Sequence, residues 1–366
     1  MRLNGQIFSK DRVIGTVKDG LLIHFDSDRL PYYLLRTKDV EGWMRSRAID
    51  AHRTNSRLLK RALRIGSTDD LDAVLRVHAA TITDTYWFRA DSETLSYANV
   101  RFHENQFAAL ALRGDPNAFN LPYSHTPELT NIGSYEKCWR LKDGTWQMVK
   151  DENDAERFSE LFISRLGKML GFPMAEYLPD GDTVVSPDFT GGAAVNFESA
   201  DGLVGDNEDY GENFQVFWAL SPELAREYLR IIYMDTLCFN MDRHTKNYGV
   251  LRDVESGAIR SMAPNFDNNI ALIARGIPND ITRAHDKLVE LFLDLLRQDS
   301  RALKIAREFP APTPDIIRQC AEETRIPVDV KAVSTFILNG SHLIQGQMQR
   351  LSMDCHEDFQ GPSLNM

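Results

Sequence analysis

The chain has 366 residues, of which 43% are hydrophobic and 26% are charged, values that fit a globular protein with two domains or one large bilobal unit. Its formal net charge of −11 argues against direct nucleic-acid binding by the whole molecule. No apolar run is long enough to cross a bilayer, and the first residues lack a signal peptide's apolar segment. We therefore expect a cytoplasmic protein without membrane contact. The four cysteines lie far apart, which favours reduced thiols over disulfides or a zinc site.

The first third of the chain predicts a small α/β segment. Residues 1–26 alternate apolar and polar side chains and predict an antiparallel meander. Residues 38–64 and 69–79 have helical spacing. The aromatic residues 86–88 and Tyr97 are interpreted as core rather than as a platform for stacking bases.

The segment from Arg45 to Arg64 is strongly basic, with seven arginines and lysines against the acid Asp50. One interpretation is a solvated helix face that meets an acidic partner or the protein's own acidic regions. The other is a surface that binds phosphate groups or nucleic acid.

The middle of the chain predicts a strand-rich region. Residues 113–131 are rich in Gly, Pro, Asn and Thr and predict a domain boundary. Two alternating runs around Asp143-Gly144 predict a β-hairpin. Residues 154–170 then have helical spacing, and Thr183 begins a strand-like run.

The last third predicts helices and two polar turns. Ser221 and Pro222 are typical of a helix start, and the apolar run that follows predicts a buried helix leading to Asp242. A second hairpin, 248–262, leads to Asp267, and residues 285–351 are mostly helical. The order predicts an α+β, two-lobed, protein-kinase-like fold: a small α/β N-terminal appendage (1–120), a strand-rich N-lobe (121–215) and a helix-rich C-lobe (216–366).

Asp242 and Asn247 have the Asp-to-Asn spacing of the protein-kinase catalytic loop H-R-D-x-x-x-x-N. Asp242 is the candidate that accepts the proton of the attacking hydroxyl, and Asn247 a ligand of Mg²⁺. Asp267, 25 positions after Asp242, is the second Mg²⁺ ligand, in place of the Asp of D-F-G. His244 is a candidate base or ligand, or else it braces the loop together with Arg243.

The nucleotide side is predicted around the hairpin that ends at Lys150. A kinase places its phosphate-binding lysine on such a strand, with a helical Glu holding it. Glu160 is the candidate for that Glu, and Glu156 the alternative. The segment Gly133–Lys137 precedes the hairpin, where backbone N–H groups and Lys137 can hold phosphate.

The segments 240–247 (N-M-D-R-H-T-K-N) and 263–267 (A-P-N-F-D) resemble those of the HipA-like serine/threonine kinases. This family includes bacterial toxin kinases and stand-alone relatives, and its fold is related to that of phosphatidylinositol kinases. The resemblance covers roughly residues 125–350. It implies that Asp242 is the catalytic Asp, that Asn247 and Asp267 bind Mg²⁺, and that ATP is held by a loop, a strand lysine and an adenine hinge within 184–189. The residues implied in nucleotide binding are Gly133, Ser134, Lys137, Lys150, Glu160, Val185 and Phe189.

The resemblance implies an ATP- and Mg²⁺-dependent transfer of phosphate to a Ser or Thr of a protein substrate. It also implies autophosphorylation near the loop, at Thr130 or Ser134, and admits an antitoxin-like partner. Two alternatives stay open: a small-molecule or lipid kinase of the same fold, and a kinase-shaped regulatory module that acts by binding. The role of residues 1–120 does not transfer from the family.

Overall fold

The computed structural model describes residues 3–49, 53, 55–65, 70–121, 125–133, 135–277 and 281–357. The chain forms two compact units that interleave along the sequence. Unit 1 comprises Met1–Asn153, Ala175–Gly205 and Tyr248–Ala263, and unit 2 comprises Asp154–Met174, Asp206–Asn247 and Pro264–Met366. The expected boundary stretch 113–131 lies inside unit 1, and the three-part division at residues 120 and 215 stays a prediction.

The strands all belong to unit 1 in the described part of the chain. They are β1 (Gly5–Ser9), β2 (Arg12–Lys18), β3 (Leu21–Phe25), β4 (Tyr86–Ala90), β5 (Lys137–Lys142), β6 (Thr145–Lys150), β7 (Leu178–Asp180), β8 (Thr183–Pro187), β9 (Val195–Ser199), β10 (Gly249–Asp253) and β11 (Ile259–Met262). They form antiparallel sheets with the orders β3-β2-β1-β4, β5-β6-β8-β7 and β11-β10-β9.

The helices occur in both units. They are α1 (Tyr32–Thr37), α2 (Val40–Ser46), α3 (Ser56–Ala62), α4 (Asp70–Leu75), α5 (Tyr97–Val100), α6 (Ala108–Arg113), α7 (Asp154–Met169), α8 (Asp201–Val204), α9 (Tyr210–Leu220), α10 (Pro222–Cys238), α11 (Lys287–Gln298), α12 (Ser300–Ala306), α13 (Pro314–Thr324) and α14 (Val330–Glu357). Among the described residues, no helix is long and apolar enough to cross a membrane.

Short-range signals in the sequence predicted the hairpins correctly. Strands β5 and β6 are joined by Asp143 and Gly144, which have positive φ angles of 50° and 77°. A two-residue turn with both φ angles positive matches the twist of the strands that it joins, and Asp-Gly tolerates that backbone. The meander β1–β3 and the hairpin β10–β11 are confirmed as well.

The helical structure predicted over 38–64 is confirmed in part. Within that range the described residues form two short helices, α2 and α3, and Lys38 at its start has a left-handed φ of 56°. The helix predicted over 69–79 ends at Leu75, because His78 and Ala79 have φ angles of 54° and 56°. Residues 50–52, 54 and 66–69 of these ranges lie outside the described residues.

The N-terminal residues belong to apolar cores, including one that they share with Leu129, Trp139 and Trp146. Trp87 on β4 is fully buried and its ring stacks on that of Phe8 at a centroid distance of 4.6 Å. Tyr86 and Phe88 are buried too, which confirms that this aromatic group is core. The hydroxyl of Tyr86 donates to Glu198 at 2.7 Å, so β4 is also tied to β9.

Buried arginine Arg252 joins the N-terminal segment to the hairpin β10–β11. Its guanidinium donates to the carbonyls of Leu30 (3.0 Å) and Gly257 (2.7 Å) and forms an ion pair with Glu198. Its charge also lies 4.1 Å from the centroid of the Tyr32 ring. Leu30, Tyr32 and Tyr86 of the N-terminal segment are therefore part of the same buried polar network as β9 and β10.

The basic run 45–64 does not form one solvated face. Arg47 is buried and pairs with Asp84 at 2.7 Å, and Lys60 pairs with Asp70 at 2.7 Å. Arg53 is fully buried. The exposed members of the run are Arg45, Arg57, Arg61 and Arg64.

Unit 2 is organised around the buried helix α10. The hydroxyl of Ser221 accepts the N–H groups of Glu223 (3.1 Å) and Leu224 (3.4 Å), which confirms the predicted helix start. Helices α7, α9, α11, α12 and α14 contact α10. The aromatic rings of Phe172, Tyr233 and Phe309 pack together with centroid distances of 5.4 to 6.1 Å.

Replacing Asp299 with Ala is expected to lower the free energy of unfolding by about 1–2 kcal/mol at neutral pH. Asp299 caps α12 by accepting the N–H groups of Arg301 (2.8 Å) and Ala302 (3.3 Å). The Arg301 side chain lowers the pKa of Asp299 to about 2. The ionised carboxylate of Asp299 therefore stabilises the fold fully above its unfolded pKa of about 4, and this stabilisation is lost as the pH falls towards 2. Urea denaturation measures the free energy of unfolding between pH 7 and 3, with Asp294→Ala at an exposed position as the control. The difference in this free energy between the wild type and Asp299→Ala should become smaller as the pH falls. A difference that is the same at every pH contradicts the capping role.

Candidate functional site

The C-terminal end of α10 carries a buried carboxylate that anchors the polar loop 240–247. Asp235 accepts two N–H groups of Arg243, Nε at Oδ2 and Nη2 at Oδ1, both at 2.9 Å. Asn240 donates to the same carboxylate at 3.1 Å. Burial raises the pKa of Asp235, and the charge of Arg243 opposes that shift. Helix α10 then ends at Phe239, whose φ of 53° turns the chain into the loop.

Arg243 joins the loop 240–247 to a second loop, 265–268. Its Nη1 donates to the carbonyl oxygens of Asn247 (2.6 Å) and Phe266 (2.8 Å). Its Nη2 donates to the side-chain oxygens of Asn265 (2.9 Å) and Asn268 (2.8 Å). A planar guanidinium with several donors in fixed directions suits such a junction. The structure therefore brings together the two loops that carry the predicted catalytic and metal-binding residues, and Arg243 has the bracing role expected for it.

Hydrogen bonds within the first loop hold Asp242 and Asn247 in place. The main-chain N–H of Asp242 donates to Oδ1 of Asn240 at 3.1 Å, and Nδ2 of Asn247 donates to the carbonyl of Asp242 at 3.1 Å. The Asp242 carboxylate is 42% exposed, and its Oδ1 lies 3.8 Å from Nη2 of Arg275. The main chain of Asp242 is thus fixed while its carboxylate faces solvent.

His244 makes a local contact. Its Nδ1 accepts the main-chain N–H of Lys246 at 3.2 Å. This hydrogen bond braces the loop, and a role for His244 in catalysis stays a prediction.

Asp267 has a left-handed backbone with φ of 63°, a conformation that Asp tolerates better than most residues. Its neighbours on both sides are fixed, since the carbonyl of Phe266 accepts from Arg243 (2.8 Å) and the main-chain N–H of Asn268 donates to Oε2 of Glu160 (3.0 Å). The loop is therefore held on each side of the predicted metal ligand.

Glu160 is completely buried on α7. The sequence predicted it as the partner of Lys150, and within unit 2 it accepts the N–H of Asn268. The preceding residue, Ser159, donates from its hydroxyl to the carbonyl of Ala271 at 2.7 Å. Helix α7 thus positions the segment after Asp267.

The donor set of unit 2 fits Mg²⁺, which prefers carboxylate and amide oxygens. The amide nitrogen of Asn247 is fixed by the carbonyl of Asp242, so Oδ1 is the atom of that side chain suited to a metal. Asp267 supplies a carboxylate on the loop that Arg243 ties to Asn247. When bound, Mg²⁺ would neutralise charge on the transferring phosphate.

Lys150 lies at the end of β6 in unit 1, with its side chain 7% exposed. Its Nζ is 3.6 Å from Oε1 of Glu152 and 5.4 Å from the centroid of the Tyr177 ring. Glu152 is fully buried, and the sequence interpretation did not include it. The buried carboxylate of Glu152 balances the charge of the buried ammonium group.

The loop 133–137 requires glycine at its start. Gly133 has a φ of 115°, and a Cβ added there would lie 2.3 Å from Nζ of Lys137. The ammonium group of Lys137 therefore lies over the beginning of the loop. Lys137 and Lys150 also face each other in the register of β5 and β6, which places both predicted phosphate-binding lysines at one end of the hairpin. Ser134 lies outside the described residues.

The predicted adenine hinge runs from β8 into a tight turn. Val185 is buried against Cys138 and Val149. Phe189 packs edge-on against Phe197 at 5.6 Å. Between them, the carboxylate of Asp188 accepts the N–H groups of Thr190 (2.9 Å) and Gly192 (2.7 Å) and fixes the turn.

Sequence reasoning missed the residues that support the loops. Asp235 is a carboxylate within the apolar run of α10, and a charged residue on a buried helix signals a paired partner. The asparagines within and directly after the two segments were a second signal, because Asn bonds both main chain and side chains in turns. Arg275 has no comparable signal. The supporting residues are Asp235, Asn240, Asn265, Asn268 and Arg275.

No protein-family model matches the chain, and no curated protein matches its sequence. Several solved structures are similar to it, including the following two. One is a chain of the Shewanella oneidensis MR-1 toxin–antitoxin complex of HipA, HipB and operator DNA, with 14% identity, a TM-score of 0.54 and coverage of 94% of this chain and 97% of that chain. The other is the Helicobacter pylori proinflammatory kinase CtkA, with 18% identity, a TM-score of 0.49 and coverage of 59% of this chain and 94% of that chain. The likeness to the Shewanella structure over nearly the whole chain confirms the predicted α+β architecture: this protein has a HipA-like kinase fold.

Proposed function

We propose that the chain is an ATP- and Mg²⁺-dependent protein serine/threonine kinase of the HipA type. The observation that carries this proposal is the junction at Arg243, which ties the loop of Asp242 and Asn247 to the loop of Asp267. Phosphoryl transfer needs a carboxylate near the acceptor hydroxyl and oxygen ligands for Mg²⁺, held in fixed positions. The HipA-like fold supports the same assignment.

Each residue has a role in this proposal. Asp242 orients the acceptor hydroxyl and takes its proton. Asn247 and Asp267 hold Mg²⁺, which supplies charge stabilisation to the phosphates. Lys150 binds the α- and β-phosphates, and Gly133 and Lys137 belong to the loop that covers them.

An acceptor screen with γ-labelled ATP tests the substrate class. We expect label on Ser or Thr of a protein in a heat-inactivated total protein extract, and none when Asp242→Asn is used. Label confined to small molecules or lipids identifies a kinase of another substrate class. If the chain is instead a module that acts by binding alone, no labelled product should form. Such a module has no need of Asp242, Asn247, Asp267 and Lys150 together.

We also propose an antitoxin-like protein partner. The support is that the similar Shewanella structure is a complex of HipA with HipB and operator DNA. Affinity purification of this chain from its native host should recover a stoichiometric protein. Recovery of the chain alone, at a concentration where it is folded, argues against such a partner.

Autophosphorylation near the nucleotide loop is a further part of the proposal. Thr130 is 5% exposed, and its hydroxyl donates to the carbonyl of Ala80 at 2.7 Å. Phosphate on Thr130 therefore requires residues 127–131 to leave this site, and we expect slow modification that lowers ATP binding. Mass spectrometry after incubation with Mg²⁺ and ATP checks this, and the absence of phosphate throughout 125–137 contradicts it.

A further inference from the structure

The neck of the nucleotide loop is held by a buried arginine from the N-terminal segment. The side chain of Arg53 has no exposed surface. Its Nη1 donates to the carbonyl of Asn131 at 3.4 Å, and its Nη2 donates to the carbonyls of Lys137 and Ala111, the latter at 3.0 Å. Asn131 and Lys137 flank the loop on its two sides. One guanidinium thus holds both ends of the loop at a fixed separation.

A buried carboxylate completes this junction. Glu128 is fully buried, and its Oε2 lies 3.9 Å from Nη2 of Arg53. It accepts the side-chain N–H of Asn131 at 3.0 Å and the main-chain N–H of Trp139 at 2.8 Å. Burial raises the pKa of Glu128, while the charge of Arg53 and these N–H groups oppose the shift. Glu128 therefore also bonds residues on each side of the loop.

The loop beyond this junction is exposed. Ile132 is 45% and Tyr135 is 37% exposed, and Gly133 has its left-handed backbone between them. A buried ion pair contributes little net stability compared with an apolar pair of the same volume. Unlike an apolar pair, an arginine has several N–H donors in fixed directions, and these hold main-chain carbonyl groups in place.

We propose that Arg53 and Glu128 are positioning residues for nucleotide binding: they hold the two ends of the loop 133–137 so that its main-chain N–H groups and Lys137 meet the phosphates of ATP. The proposal rests on the proposed function. It also gives residues 1–120 a role, because Arg53 belongs to that segment. Arg53 is part of the basic run 45–64, which the sequence alone suggested could be a binding surface.

The test compares Arg53→Met with Arg47→Met in the full-length protein. Arg47 is a matched control, since it is buried in the same run and pairs with Asp84 at 2.7 Å but bonds none of the loop residues that the structure describes. We expect Arg53→Met to raise KM for ATP at least about tenfold, as the loss of one or two hydrogen bonds allows, with a smaller change in kcat. Arg47→Met should leave KM for ATP within about twofold of wild type.

A double variant separates positioning from stability. In Arg53→Met/Glu128→Leu no charge is left buried without a partner, so the melting temperature should recover towards that of the wild type. The KM for ATP should stay raised, because no donor joins Asn131 to Lys137. A double variant with normal stability and normal KM overturns the proposal.

Hydrogen exchange gives a readout that does not depend on catalysis. Amides of residues 132–137 should exchange faster in Arg53→Met than in Arg47→Met or in the wild type. If the wild-type protein turns over no ATP, the proposed kinase function fails. The exchange comparison still decides whether Arg53 holds the loop in place. Equal exchange of the loop in the two variants overturns the positioning role.

Discussion

Replacing Asp242 with Asn, or Asp267 with Asn, is expected to lower the rate of phosphoryl transfer by more than about a hundredfold, since positioning and electrostatics supply nearly all of the catalysis. Asn at 242 cannot take the proton of the acceptor hydroxyl. Asn at 267 replaces a charged oxygen ligand of Mg²⁺ by a neutral one. Initial rates of transfer from γ-labelled ATP to a protein acceptor measure both effects.

The fold should tolerate these substitutions. The carboxylate of Asp242 is 42% exposed, and the loop is held through its main-chain N–H and carbonyl. We expect the free energy of unfolding of Asp242→Asn to stay within about 0.5 kcal/mol of the wild type. The exposed residue Asp294 gives a matched control, Asp294→Asn, with a normal rate. Near-normal turnover by Asp242→Asn refutes the assignment of the catalytic carboxylate.

Replacing Arg243 with Leu is expected to lower the free energy of unfolding by about 3–5 kcal/mol, because it leaves the carboxylate of Asp235 buried without its ion-pair partner. Arg243 and Asp235 are both almost fully buried, at 2% and 1% side-chain exposure. The substitution also removes the donors to the carbonyls of Asn247 and Phe266. Urea denaturation measures the loss, and transfer activity should fall with it.

Two further variants sharpen this prediction. Arg226→Leu removes an exposed ion pair with Glu308 and should cost less than about 1 kcal/mol. The double variant Asp235→Leu/Arg243→Leu should recover part of the stability, since no charge remains buried alone, but it should stay inactive because the guanidinium that joins Asn247 to Phe266 is lost. If Arg243→Leu destabilises the protein no more than Arg226→Leu does, Arg243 is not the junction described above.

The parts of the fold that could be predicted from sequence are those set by residues close together in the chain. Asp143-Gly144 specifies its hairpin through the backbone angles that these two residues tolerate. Ser221 specifies a helix start through a hydrogen bond to residues two and three positions ahead. The left-handed backbone angles of Lys38, His78 and Ala79 were not predictable in this way, because tertiary packing sets such angles at residues with no strong preference for them.

The candidate site likewise has features that local sequence predicts and features that depend on residues far apart in the chain. The spacing of Asp242 and Asn247 is local and was read directly from the sequence, and the structure ties their loop to that of Asp267 through Arg243. The hydrogen bond of Glu160 to Asn268 and the contacts of Arg53 with the nucleotide loop join residues far apart in the chain. Arg53 stood within a charge run, and composition alone does not distinguish a buried arginine from a solvated one.

The most direct test is Mg²⁺-dependent ATP consumption by the purified protein in the presence of a heat-inactivated total protein extract as acceptor. We expect ADP to form in proportion to enzyme, to stop when Mg²⁺ is chelated, and to be lost in Asp267→Asn. ATP consumption that is absent from the wild type, or that persists unchanged in Asp267→Asn, contradicts the interpretation of these loops as a metal–nucleotide site.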